Sequence, residues 1–234
     1  MQGSINRPVT RLVNSAWRTS APPALEQDHE VVVMSRTPGE LSSLAGVTHI
    51  VADLSTDEVT SDMLPDKIAG VAYCPGTLSL KSFRGLKPDV FRSDFELNVV
   101  GAVKIIQASL AGLKAAESSS VVMFSTVAVQ LGMAAHASVA ASKGAIEGLA
   151  RTLAAELSPG VRVNCIAPAL TNTPLTNRFF ANPEKAASLG DMYALKRTGT
   201  VDDIADIAHF LLSQKSGWIT GQVFGVDGGM SAVK

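Results

Sequence analysis

Along this chain, short runs rich in valine and isoleucine alternate with longer stretches whose apolar positions recur at helical spacing. Runs at residues 9–13, 30–34, 48–52, 70–74, 120–125, 161–166 and 222–226 predict seven β-strands. Their near-continuous Val/Ile content suits strands covered on both faces. Helical patterns fall at about 95–116, 138–157 and 201–213. Such alternation predicts an α/β fold built on a doubly wound, mostly parallel sheet. Proline and glycine gather between the elements, as at Pro75-Gly76 and Asp227-Gly228-Gly229. Asp202 and Asp203 open the last helix, where the positive end of its dipole favours carboxylates. Ser138 reads as the N-cap of the middle helix, its hydroxyl aimed at the amide of Ala140 or Ala141. No repeat, low-complexity tract or linker interrupts the pattern, so residues 1–234 read as a single domain.

Composition agrees with a buried core: 46% of the 234 residues are hydrophobic and 18% charged. A formal net charge of −1 provides no field for nucleic acid or an acidic membrane. No run was read as approaching the length of a membrane span, and the N-terminus carries no apolar leader, which predicts a cytoplasmic chain. Cys74 and Cys165 have no metal-ligand spacing and read as small buried hydrophobes; no metal site is expected. His29, His49 and His209 read as structural.

The first unit breaks the pattern. Between the first two strands lies NSAWRTSAPPALEQD, residues 14–28, without a glycine. A nucleotide-binding βαβ unit needs glycines there so that the backbone approaches the pyrophosphate, whose charge rests on free N–H groups at a helix N-terminus. Trp17 and Arg18 would fill that space, and Pro22-Pro23 would break a long helix. A shortened crossover of about a dozen residues still closes a parallel pair.

Residues 135–157 read AHASVAASKGAIEGLARTLAAEL and lead into SPGVRVNCIAPALTNTPLT. Together with VADL, ELNVVG, LKRTGTVDDIADIAHFLLS and GWITGQVFGVDGG, they resemble the short-chain dehydrogenase/reductase family over about residues 30–229. The resemblance implies a Rossmann-like fold and the chemistry of NAD- or NADP-dependent oxidoreductases. It places Lys143 at the lysine of Tyr-x-x-x-Lys, Asn98 at the asparagine that holds a relay water, and Thr126 at the catalytic serine. Asp53 falls at the adenine contact, Thr173 at the carboxamide contact, and Arg36 where NADP-preferring members carry a basic residue. The tyrosine itself is replaced by Val139, which has no proton to give, and Asn-Asn-Ala-Gly is replaced by Tyr73-Cys74-Pro75-Gly76. Lys143 is left to contact ribose or to pair with a carboxylate.

These departures imply a degenerate member, a pseudoenzyme that binds no dinucleotide and serves as a structural or regulatory subunit. The family contains heteromers of active and inactive subunits, so the expected partner is an active paralogue, with a homo-oligomer as the other form. The alternative is an NAD(P)-dependent oxidoreductase of alcohols or carbonyls whose proton donor has moved to His136 or Tyr193. The small residues Ala140, Ala141, Gly144, Ala145 and Gly148 suit a helix that docks closely on another subunit.

Overall fold

The computed structural model describes residues 10–14, 30–38 and 45–233. Its strands are β1 (Thr10–Asn14), β2 (Val31–Ser35), β3 (Val47–Val51), β4 (Ile68–Tyr73), β5 (Ser119–Phe124), β6 (Val161–Pro168) and β7 (Val223–Val226). They form one seven-stranded sheet in the order β3-β2-β1-β4-β5-β6-β7, every neighbouring pair parallel. The chain winds outward from β1 to β3 and then returns to the other side of β1 at β4. In open sheets of this kind, the crevice beyond the carboxyl ends at such a reversal receives ligands.

Helix α1 (Pro88–Phe95) continues through a π turn, Glu96–Val100, into α2 (Gly101–Ala115). The remaining helices are α3 (Ala128–Leu131), α4 (Ala137–Leu157), α5 (Asn177–Phe180), α6 (Pro183–Gly190) and α7 (Val201–Leu212). Alternate residues of the central strands supply two cores. Val71, Val121, Met123 and Val163 meet Ile105 and Leu113 of α2 and Ile146 and Ala150 of α4. On the other face, Ala72, Val122 and Ile166 pack with Ile204, Ala208 and Leu211 of α7. All five residues of β2 are buried, as a Val-rich strand covered on both sides requires.

Helix α7 starts where the acidic residues predicted. Thr200 accepts from the Asp203 amide at 3.2 Å, and Asp203 accepts from the Thr200 amide at 2.7 Å, closing a capping box. Two further bonds from Arg197, at 2.6 and 2.8 Å, hold the Asp203 carboxyl well below the usual carboxylate range. At the α2–β4 contact, Tyr73 is fully buried and donates its hydroxyl to the Leu97 carbonyl at 2.5 Å. A Cβ on Gly101 would collide with that hydroxyl, so only glycine lets the helix sit this close.

Two expectations are corrected. The helical pattern expected from residue 95 begins about two turns earlier, at Pro88, because proline is tolerated in the first turn. The resulting continuous helix, Pro88–Ala115, is 28 residues long and reaches a mean hydropathy of 1.2, enough by length and composition to cross a membrane. Half of its apolar window is buried inside the protein, and that apolarity serves the core beneath α2. The β1–β2 crossover, with Trp17, Arg18 and Pro22-Pro23, lies outside the described residues.

Candidate functional site

Beyond the carboxyl ends of β4 and β5, the α1–π–α2 rod crosses α4. The segment 74–79 leaves β4 and runs between them. Asn98 sits in the π turn, a helical irregularity common at functional positions, and is completely buried. Its Nδ2 donates to Ser142 Oγ at 2.8 Å and to Thr77 Oγ1 at 3.2 Å. Ser142 in turn donates to the Val139 carbonyl at 3.1 Å. One turn earlier on both helices, Ser138 and Ser79 donate to the two oxygens of buried Asp94.

Lys143 extends from α4 into the same region, 7% exposed, and donates to the Pro75 carbonyl at 3.3 Å. Its partner is therefore a backbone oxygen. Neither of the two expectations, ribose contact or carboxylate pair, describes that bond. Burial pulls its pKa down from 10.5 to about 8, against the opposing pull of Cys165, Cys74 and Asp94. Gly76 lies beside both side chains: a Cβ there would stand 3.4 Å from Lys143 Nζ and 3.8 Å from Asn98 Oδ1. Asn98 Oδ1 is a buried acceptor without a hydrogen-bond partner among the described residues.

Val139 is 3% exposed and lies one helical turn before Lys143. Its side chain offers this region only hydrocarbon. Ser138 is not the N-cap that the sequence suggested: the capping position is His136, and the Ser138 hydroxyl is turned into the interior toward Asp94. A buried carboxylate is a stronger acceptor for that hydroxyl than a first-turn amide is a donor. Thr126, just past β5, accepts from the Ala128 amide at 3.3 Å at the start of α3. The adjacent Ser125 is buried and donates to Glu147 Oε1 at 2.7 Å.

The other expected positions lie farther out. Arg36 is exposed after β2, and its charge acts on Asp53 after β3. Ser55 donates to Asp53 Oδ1 from both its hydroxyl, at 2.5 Å, and its amide, at 3.0 Å; these bonds hold the Asp53 carboxyl below its ordinary value. Thr173 Oγ1 lies 3.0 Å from Thr176 Oγ1, which donates to carbonyl oxygens of its own loop. His136 pairs its Nδ1 with the Ala134 carbonyl at 2.7 Å. Tyr193 is 3% exposed, its ring is against Gly228, and burial raises its pKa. It lines a cavity of about 100 Å³ with Leu170, Arg197, Asp203 and Asp227; neither Asn98, Val139 nor Lys143 borders that space.

Sequence reasoning passed over Thr77, Ser79, Asp94 and Ser142. A signal was there: Asp94 and Asn98 are four apart, as are Ser138 and Ser142, so each pair shares one helical face. Nothing local says that the two faces meet.

The class of protein follows from this arrangement and from comparison with known proteins. The family model described as Enoyl-(Acyl carrier protein) reductase matches residues 20–231. The chain is 31% identical to L-xylulose reductase of Bos taurus over 217 residues, 86% of each chain. It is 39% identical over 171 residues to Inactive 2-(S)-hydroxypropyl-CoM dehydrogenase 2 of Xanthobacter autotrophicus (strain ATCC BAA-1158 / Py2), covering 71% of this chain and 74% of that one. An oxidoreductase structure of the short-chain dehydrogenase/reductase family from Burkholderia thailandensis superposes with a TM-score of 0.86 at 26% identity, covering 97% of this chain and 94% of that one. This chain belongs to the short-chain dehydrogenase/reductase family and has its Rossmann-like oxidoreductase fold.

The family implies a nicotinamide dinucleotide, which would supply or accept hydride when bound. The described residues fit its sugar end. Lys143 has donors to offer, Asn98 Oδ1 has no donor among the described residues, and Gly76 places no side chain between them. Arg36 and Asp53 would face the adenosine end. The segment that would hold the pyrophosphate falls within 15–28, outside the described residues, and its sequence has no glycine.

Proposed function

We propose that this chain is a non-catalytic subunit of the short-chain dehydrogenase/reductase family, which neither grips a dinucleotide nor transfers a proton and partners an active paralogue. The observation that carries this reading is Val139: a buried hydrocarbon side chain where the reaction needs an acid, one turn from a retained Lys143 and Asn98. General acid–base catalysis contributes roughly 10²–10⁴-fold, so an oxidoreductase without a substitute donor would be slow by that factor. Asn98, Thr126 and Lys143 are then vestigial catalytic positions, and Arg36, Asp53 and Thr173 vestigial cofactor positions. The 39% identical relative whose name calls it inactive supports the same reading. A donor relocated to His136 or Tyr193 is the weaker reading, since the one ring is tied to Ala134 and the other faces a different cavity.

Val139→Tyr tests the claim of two lesions. Purified wild type and variant should both fail to reduce or oxidise alcohol and carbonyl substrates with NAD or NADP. Calorimetry should detect no micromolar binding of either cofactor, because the sequence between β1 and β2 has none of the glycines that an N–H cradle for pyrophosphate needs. Clear turnover by Val139→Tyr would overturn the reading.

The partner surface in this reading is the outer face of α4. Ala141 is exposed, and a Cβ built on Gly148 meets nothing within 4 Å of it. The first carbon of a Gly148→Trp side chain therefore meets open space, and in this reading the bulky ring beyond it obstructs another subunit. Sedimentation should show an oligomer for the wild type and a folded, dissociated chain for the variant. A wild type that sediments as a monomer at micromolar concentration, alone and with its candidate paralogue, would remove the subunit role. The compartment assigned with this reading is the cytoplasm.

A further inference from the structure

We propose that the loops beyond the carboxyl ends of β4, β5 and β6 form a surface that docks this chain on an anionic phospholipid bilayer. The inference goes beyond the subunit reading and holds whether or not the chain is catalytic.

Residues 76–87, 126–136 and 169–182 follow three neighbouring strands of a parallel sheet, so all three loops emerge at the same end. None of them contains an aspartate or a glutamate, while together they carry Lys81, Arg84, Lys87 and Arg178, all exposed. Two hydrogen bonds tie the loops into one surface. Arg178 donates to the Leu78 carbonyl at 3.3 Å, and the Lys81 amide donates to the Ala135 carbonyl at 3.2 Å. None of the four cations pairs with a carboxylate among the described residues. The carboxylates that flank the loops in sequence change this little: Asp89 is held by Arg92 at 2.5 Å, and Glu184 lies on α6. The total charge of −1, which argued against an acidic membrane, therefore averages over a face that is positive throughout.

The same loops hold large apolar side chains out in water. Phe83 is 76% exposed, Leu175 53% and Leu131 39%. Phe83 opens a 3₁₀ turn, Phe83–Gly85, between Lys81 and Lys87, and its ring stands edge-on to Phe91 of α1 with centroids 6.5 Å apart. Single exposed apolar residues are ordinary on any protein. Here they share their loops with four cations that have no carboxylate partner, which is the composition of an interfacial membrane contact. The charges supply attraction, and the hydrocarbon enters the boundary between headgroups and acyl chains.

The charge pattern selects the occupant. A protein surface mixes both signs, so a face complementary to one carries carboxylates as well as cations, and lysine is depleted at such interfaces. Nucleic acid is anionic throughout, but its single strands are held by aromatic stacking and gain little from aliphatic leucines. A leaflet containing phosphatidylserine takes up both the cations and the leucines. Each cation beside such a leaflet raises partition roughly fivefold.

Co-sedimentation of the full chain with vesicles tests this, one set of phosphatidylcholine alone and the other with about 30% phosphatidylserine. The chain should pellet at least tenfold more strongly with the anionic set, and raising the salt from about 0.05 M to about 0.5 M should release it. The triple variant Lys81→Gln, Arg84→Gln, Lys87→Gln should lose at least tenfold in partition, and Phe83→Ser at least threefold; a melt like that of wild type separates lost binding from lost folding. Failure to pellet with the anionic vesicles overturns the proposal, and so does equal pelleting with both sets; both comparisons need only the wild type. A folded triple variant that pellets like wild type places the contact on another face and overturns it too. Tighter binding to poly-glutamate or to single-stranded poly-thymidine than to the vesicles would overturn it in favour of an acidic polypeptide or a nucleic acid. None of these outcomes bears on turnover, so the subunit reading stands or falls separately.

Discussion

Lys143→Met should make the chain more stable at pH 7, by on the order of 2 kcal/mol, and the gain should vanish as the pH approaches 10.5. The cause is a cation kept where water does not reach it, which lowers its pKa from 10.5 to about 8. Below pH 8 the folded and unfolded chains both carry the charge, and the folded state bears the whole cost of burying it. Between pH 8 and 10.5 the unfolded chain still binds a proton that the folded chain has released, so wild-type stability rises with pH across this window. Above it both states are neutral and the cost is gone. Methionine is uncharged throughout and of similar length, although it leaves Asp94 without its nearby positive charge, which offsets part of the gain. Urea denaturation of both proteins at pH 7 and pH 10.5 measures the difference. A variant less stable than wild type at both pH values would show that the Pro75 bond outweighs the buried charge. Residues held at a cost to stability gather at sites of present or former function, and Lys143 has that character.

Arg162→Leu should act in the opposite direction, costing about 3–5 kcal/mol. Arg162 projects from β6 and is 8% exposed, yet its guanidinium does not pair with a carboxylate among the described residues. Instead it closes the carboxyl end of α7: Nη1 donates to the Leu211 carbonyl at 2.9 Å and to Ser216 Oγ at 2.5 Å, and Nη2 to the Ser213 carbonyl at 2.9 Å. A cation at the negative end of a helix is favoured, and these carbonyls would otherwise end the helix inside the protein. Desolvation lowers the arginine's pKa without neutralising it, so leucine removes the charge and its donors together. Arg162→Lys should recover only part of the loss, because one ammonium cannot span the same fork of acceptors. Equilibrium denaturation decides it. A loss below about 1 kcal/mol for Arg162→Leu would mean that water replaces the guanidinium at the helix end.

The opposite behaviour expected of these two cations follows from what surrounds each. Arg162 was placed by a fold that gives all its strong donors acceptors, apart from Nε. Lys143 is buried with one backbone acceptor among the described residues, and burial lowers its pKa.

Much of this molecule was written locally. The seven strands stand within about two residues of the positions that β-branched runs marked, because strand and helix periods are properties of adjacent residues. The capping box at Thr200 and Asp203 is likewise a matter of four consecutive positions. The substitution at Val139 needed only a motif and its spacing. What the sequence alone determined was therefore the parallel α/β class and the family. Only the tertiary structure decided the rest. It turned Ser138 from a cap into a hydrogen-bond donor to Asp94, gave Lys143 a backbone carbonyl as partner, put Tyr193 beside another cavity, and left Asn98 Oδ1 without a donor among the described residues. Each of those outcomes depends on residues tens of positions apart meeting, all but that of Tyr193 around the crossing of α1, the π turn and α4. The local chain encodes which faces are polar, but long-range packing decides which polar faces meet.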